Sequence, residues 1–132
     1  MRVRVRYDMP DENGETRRER MANFADDVLD QLGGPPPALE VPGDGEFIWD
    51  WFWAFCDRVQ RVSDGVCSPF PPSEFLAWCT VTGTIVYPSE YAILCAMDDV
   101  FCSEMNKEIK DFRTRQDEKR KAELEAAKRK RR

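Results

Sequence analysis

"PSEFLAWCTVTGTIVYPSEYAILCAMDDVF", residues 72–101, contains Pro-Ser-Glu-aromatic twice, starting at Pro72 and again at Pro88. Proline suits the first position of a helix, because the N–H it lacks would be unpaired there and its φ is already helical. A glutamate two residues later sits at the third position, where its carboxylate meets free backbone N–H groups and the positive end of the helix dipole. Pro72 with Glu74, and Pro88 with Glu90, meet that description. Phe75 and Tyr91 follow at the fourth position, where Phe70 and then Val86 or Tyr87 can close a hydrophobic staple. The spacing predicts a short helix over about 72–81 with Phe75, Leu76, Trp78 and Cys79 as its apolar set. Gly83, able to take positive φ, ends it. A longer helix runs from Pro88 well past Phe101, with Tyr91, Leu94, Cys95, Met97, Phe101 and Met105 as its buried stripe and Ile109 and Phe112 extending it.

Upstream, "EFIWDWFWAFCDRVQRV" predicts a helix over about 46–62 that is aromatic on nearly every side. Trp49, Phe52, Cys56 and Val59 follow 3–4 spacing and are expected to face the body of the domain. Trp51 and Phe55 line a second strip beside it. Burying a side chain of this size gains about 1.5–3 kcal/mol, so two apolar strips on one helix must be covered by the domain itself or by another polypeptide. Both alternatives stay open at this level. "SDGVCSPFPP" reads as a loop.

The ends differ in kind. "MRVRVRY" alternates Arg with Val3, Val5 and Tyr7, a period-two pattern that reads either as a short strand or as a disordered basic start. Residues 16–32 form a weak helical candidate with Phe24, Val28, Leu29 and Leu32 on one side, and "GGPPPALEVPGDG" ends it as a spacer. Beyond Phe112 the only large aliphatic residue is Leu124, in a run of good helix formers that predicts a solvated helix fraying into a basic tail. The expected fold is therefore all-α: a three- to four-helix core over 46–112, a charged and partly disordered N-terminal arm over 1–45, and a basic helical or disordered tail over 113–132.

Charge is unevenly distributed. From Met21 to Asn106, 14 acidic residues face only Arg58 and Arg61; from Lys107 onward, 12 bases face 6 acids. The acidic body repels nucleic acid, whereas Lys128, Arg129, Lys130, Arg131 and Arg132 would attract any anionic surface, an acidic protein or a phosphate backbone alike. The polar arrangement could also promote or discourage self-association. No signal peptide or membrane-length apolar run is evident, which makes a reducing, intracellular setting the expectation.

The chain contains no histidine, so the usual general base and commonest metal ligand are missing. Its five cysteines form no C-x-x-C and an odd number fits a fully paired set badly; several fall in apolar helical patterns, as small hydrophobes. Asp98 and Asp99 are adjacent on a helix and point about 100° apart, which prevents a shared ion. Asp98 borders the buried stripe and is expected to accept hydrogen bonds from a neighbouring loop or from Arg58 or Arg61; contact with a partner is the other reading. No cofactor, no metal site and no enzymatic activity are expected.

Taken together, "FIWDWFWAFCDRV" and "PPSEFLAWCTVTGTIVYPSEYAILCAMDDVF" resemble the small tail-assembly chaperones of long-tailed bacteriophages. The pattern is carried by Trp49, Phe52, Ser73, Glu74, Trp78, Thr82, Gly83, Pro88, Glu90, Met97, Asp98, Asp99 and Phe101, over about residues 46–106. The resemblance implies an adaptor that coats the tape measure protein in the host cytoplasm, recruits tail tube subunits and is absent from the finished virion. Many such proteins come in two lengths through a translational frameshift. The N-terminal arm and the basic C-terminus depart from the usual short form. On this reading the partner surface is drawn from Trp49, Asp50, Trp51, Trp53, Phe55, Asp57, Trp78, Asp98 and Asp99, with a client helix near Trp51, Trp53 and Phe55, and Asp50 and Asp57 rimming its groove. A nonspecific nucleic-acid factor acting through the basic tail, and a structural connector or tail completion component, are the alternatives.

Overall fold

The computed structural model describes all 132 residues. The chain is a small all-α domain with one minimal β-hairpin. After a five-residue helical turn at Arg4–Asp8 come α1 (Arg17–Met21), α2 (Asp26–Gln31), a 3₁₀ turn at Gly43–Gly45 and α3 (Glu46–Cys56). The hairpin β1 (Val62–Ser63) and β2 (Val66–Cys67) follows, then α4 (Pro72–Thr82) and α5 (Pro88–Lys130). The first part of α5 is the spine against which the start of the chain, α3 and β2 all pack. No helix is long and apolar enough to cross a membrane.

Only 15 of the 132 residues are buried, so a few large side chains carry the core. Phe52, Phe55 and Leu94 lie deepest, joined by Ile48, Phe70, Phe75 and Phe101. The rings meet edge to face: Phe52 with Phe101 at 5.6 Å, and Phe55 with Phe70 at 5.4 Å and with Phe75 at 5.3 Å. That arrangement sets each ring's positive edge against its neighbour's negative face and contributes about 0.5–1.5 kcal/mol per pair beyond area burial.

The two Pro-Ser-Glu starts behave differently despite their shared sequence. At Pro88 the Glu90 carboxylate accepts the N–H of Tyr87 at 2.8 Å, closing the cap. At Pro72 the preceding residue is Pro71, which has no N–H to give, and Glu74 makes no such bond. There the staple does the work: Phe70 and Phe75 lie 5.4 Å apart, centroid to centroid. Gly83 ends α4 at φ 69°, with the Thr84 N–H donating back to the Cys79 carbonyl at 3.0 Å.

Several expectations need correction. The start of the chain is not a strand, because one turn of helix places Val5 inside the main core and Arg4 half-buried over the Trp53 ring, while Arg2 and Arg6 stay outside. Nor is it a free arm. Arg18 pairs with Asp8 at 2.6 Å and donates to the Pro37 carbonyl at 2.7 Å, and Arg17 reaches Glu108 on α5 at 2.9 Å. The weak helix over 16–32 splits into α1 and α2, and Phe24, Val28 and Leu32 remain exposed; Met21 is the buried residue there. Helix α3 stops at Cys56 rather than near Val62, because residues 62–67 turn into the hairpin. Asp64 at φ 52° and Gly65 at φ 73° form its two-residue turn, a pairing whose backbone twist matches that of the flanking strands. A side chain at Gly65 would also collide with the Arg113 guanidinium.

Candidate protein-docking groove and buried polar cluster

The residues proposed from sequence as one partner surface separate into three groups. Phe55 and Asp98 are inside. Phe55 is 1% exposed and packs on Phe70, Phe75 and Trp78, because the inward face of α3 is Ile48, Phe52, Phe55 and Cys56. The 3–4 spacing fits that set as well as the one built on Trp49, and burial of Ile48 decides between them. Phe55 is thus core, and the client strip placed on it is corrected.

The second group is half-buried. Trp53 lies against Phe52 and Phe101, with the Arg4 guanidinium over its ring at 5.2 Å, and Trp49 meets Trp53 edge-on at 5.6 Å. Trp51 instead pairs with the exposed Phe47 at 5.0 Å on the outer side of α3. Trp78 stacks on Phe75 at 5.9 Å. The third group, Asp50, Asp57 and Asp99, is exposed to solvent.

Apolar concavity lies elsewhere than around Trp51. Met1, Val41, Pro42, Ile48 and Trp49 enclose one hollow of about 430 Å³ against Ile93 and Met97 of α5. An adjoining hollow of about 560 Å³ shares Met1, Ile93 and Met97 and continues along Val3, Ala96 and Val100. Together they form a shallow apolar trough along one side of α5, with Glu40 and Asp44 at one end and Arg2 at the other. Trp49 is the one candidate aromatic that lines it. Ile93, Ala96, Met97 and Val100 recur at 3–4 spacing beside the buried stripe of Leu94 and Phe101; that second stripe was the available sequence signal.

Asp98 anchors a buried cluster. Its Oδ1 accepts from Arg61 Nη2, and its Oδ2 accepts the Phe70 N–H at 2.9 Å. Arg61, 8% exposed, also donates to the Ser68 carbonyl at 3.1 Å and to Cys56 Sγ at 3.0 Å, and its guanidinium lies 5.0 Å from the centre of the Phe101 ring. One carboxylate on α5 therefore pins both the segment after α3 and the segment before α4. A buried charge needs such pairing to offset its lost hydration. The expected acceptor role of Asp98 toward Arg61 and a loop is what the geometry displays; Arg58 stays on the surface.

Three thiols surround this pair. Burial pushes Cys56 up to about 11 and Cys102 up to about 12, and raises Cys67 as well. They are protonated, weakly nucleophilic groups in the folded chain, and the space between Cys56 and Cys102 is filled by the guanidinium. The basic residues Lys128–Arg132 lie at the far end of α5, and every side chain beyond Ile109 is exposed. No family model, no curated protein and no solved structure matches this chain.

Proposed function

We propose that this chain is a non-catalytic holding factor of the phage tail-assembly chaperone kind, which covers an apolar helix of the tape measure protein and helps bring tail tube subunits to it in the host cytoplasm. The observation that carries the reading is the apolar trough along Ile93, Met97 and Val100, floored by Ile48 and Trp49. Its apolar lining suits the apolar face of a helix, and the strongly acidic body around it favours a client that is basic outside the contact stripe. The order of motifs from Phe47 to Phe101 supports the same reading. The docking strip is accordingly moved from Phe55 to the α5 side of α3.

Coexpression with a tape measure protein tests it. The client is expected to be insoluble alone and soluble with this chain. It should return to the pellet when Trp49→Glu and Ile93→Glu are combined, while circular dichroism and Tm of the variant remain near wild type. A client equally soluble in all three conditions overturns the reading. A second reading, nonspecific nucleic-acid binding, is favoured by the exposure of the basic end of α5. It requires salt-sensitive binding to random DNA that is lost without residues 128–132. Recovery of the chain in purified virions would instead favour a structural connector.

A further inference from the structure

We propose that Cys67 and Cys102 are a disulfide-forming pair, a covalent latch between the β-hairpin and α5. Their sulfurs lie 3.6 Å apart, close enough that closure to a bond of about 2.05 Å needs only a small movement of the two side chains. The approach has a dedicated scaffold. Asn106 lies one helical turn beyond Cys102, on the same face of α5. Its side-chain amide clasps the backbone of Cys67, accepting the Cys67 N–H at 2.8 Å and donating to the Cys67 carbonyl at 3.0 Å. That pair of hydrogen bonds to β2 replaces the missing neighbour strand and fixes Cys67 in register with Cys102. Two residues of one helix face thus address one residue of the hairpin, one through its backbone and one through its sulfur.

The oxidant is a small-molecule disulfide, RSSR. The thiolate of one cysteine attacks a sulfur of RSSR, the reagent's S–S bond breaks, and one RSH leaves carrying a proton. The second cysteine then attacks the protein sulfur of the mixed disulfide, releasing the second RSH. Two protein thiols are oxidised, one reagent disulfide is reduced, and both thiol protons leave with the thiols. Neither sulfur is exposed in the closed form. Reaction therefore begins when the hairpin lifts, which strands of two residues and one exposed turn permit. Cys56 is held by Arg61 Nη1 on the other side of the guanidinium and is not part of the pair.

The full-length chain is incubated with oxidised glutathione, a linear RSSR, and its free thiols are counted. Three of five should remain, with a mass loss of about 2 Da for the two hydrogens removed and a Tm raised by several degrees, because the bond closes a long loop. Trypsin alone cannot map the link, since no Lys or Arg lies between Arg61 and Lys107. Added cleavage after Glu74 and Glu90 separates Cys67 from Cys102, and the two fragments should stay joined until reduced. Asn106→Ala should speed oxidation several-fold by loosening the hairpin. Five titratable thiols after treatment, or a link that joins Cys56, Cys79 or Cys95 instead, would overturn the proposal. Mapping on the wild-type chain decides it even if a cysteine variant fails to fold.

Discussion

The two halves of α5 share one unbroken helix and almost nothing else. Between Pro88 and Asn106, Leu94, Asp98, Phe101, Cys102 and Glu104 are buried and hold the start of the chain, α3, the hairpin and the loop before α4. From Arg113 to Lys130 every side chain is exposed. The first half is helical because tertiary packing rewards it. The second is helical because a formed helix precedes it, so the nucleation cost is already met and each added residue needs only modest propensity. Ala, Glu, Lys, Arg and Gln supply that propensity. Glu125 with Arg129 and Asp117 with Lys121 stand in the favourable order four residues apart, and Lys128–Lys130 complement the negative end of the dipole. A single helix can thus be a fold's spine at one end and, at the other, a basic rod about 27 Å long at 1.5 Å per residue.

The sharpest test of that division exchanges a carboxylate in each half. Asp98→Ala leaves Arg61 charged, buried and without its partner, and leaves the Phe70 N–H unsatisfied. Denaturant unfolding should show a loss of about 3–5 kcal/mol. Asp117→Ala also removes an ion pair, with Arg120, but both groups are exposed. Its cost should stay below about 0.5 kcal/mol. Comparable losses from the two substitutions would break the comparison.

A smaller effect separates the two Pro-Ser-Glu starts. Glu90→Ala removes the acceptor for the Tyr87 N–H at the head of the packed half of α5, for an expected loss of about 1 kcal/mol. Glu74→Ala removes only a charge near the N-terminus of α4, worth about 0.3–0.5 kcal/mol at low salt and less as salt screens it. Denaturation midpoints measured at two ionic strengths distinguish these cases. Equal losses at both sites would mean that Glu74 finds a partner despite Pro71.

The residues that were legible in advance are those whose local chemistry admits one solution. Pro72, Pro88, Glu90 and Gly83 mark helix ends, and Asp98, an acid beside an apolar stripe with only two bases in the body, had few partners to choose from. Helix α3 was harder, because aromatic residues on nearly every side make several 3–4 faces equivalent; only the shape of the surrounding core selects Ile48, Phe52 and Phe55 over Trp49, Phe52 and Val59. Reading Phe55 as a partner contact followed from that ambiguity. The hairpin did leave a mark, Asp64-Gly65 between "VS" and "VC", but strands of two residues offer no alternation to count. At the N-terminus the period-two pattern admitted a short strand or a disordered basic start. What settled residues 4–8 was a set of long-range contacts, Val5 against the core, Arg4 over Trp53 and Asp8 with Arg18, which local pattern does not encode. The trough was legible only in part: Met97 was placed on the buried stripe, while Met1, Ile48 and Ile93 come together from three separate segments.

The smallest expected effect is on the body when the exposed half is removed. Cutting the chain after Phe112 discards residues 113–132 and, apart from bonds within α5 itself, breaks one long hydrogen bond, from Arg113 to the Asp64 carbonyl at 3.4 Å. No buried side chain lies in the discarded segment. The far-ultraviolet helical signal should therefore fall in proportion to the roughly eighteen helical residues lost, at one hydrogen bond per residue added. The thermal midpoint of the cooperative transition should move by no more than about 2 °C, as expected for surface changes. Any binding to random DNA should disappear with the same cut, while rescue of a client through the trough should persist. A large drop in midpoint would show that the basic rod stabilises the acidic body from which it projects, and the two halves of α5 would then have to be treated as one cooperative element.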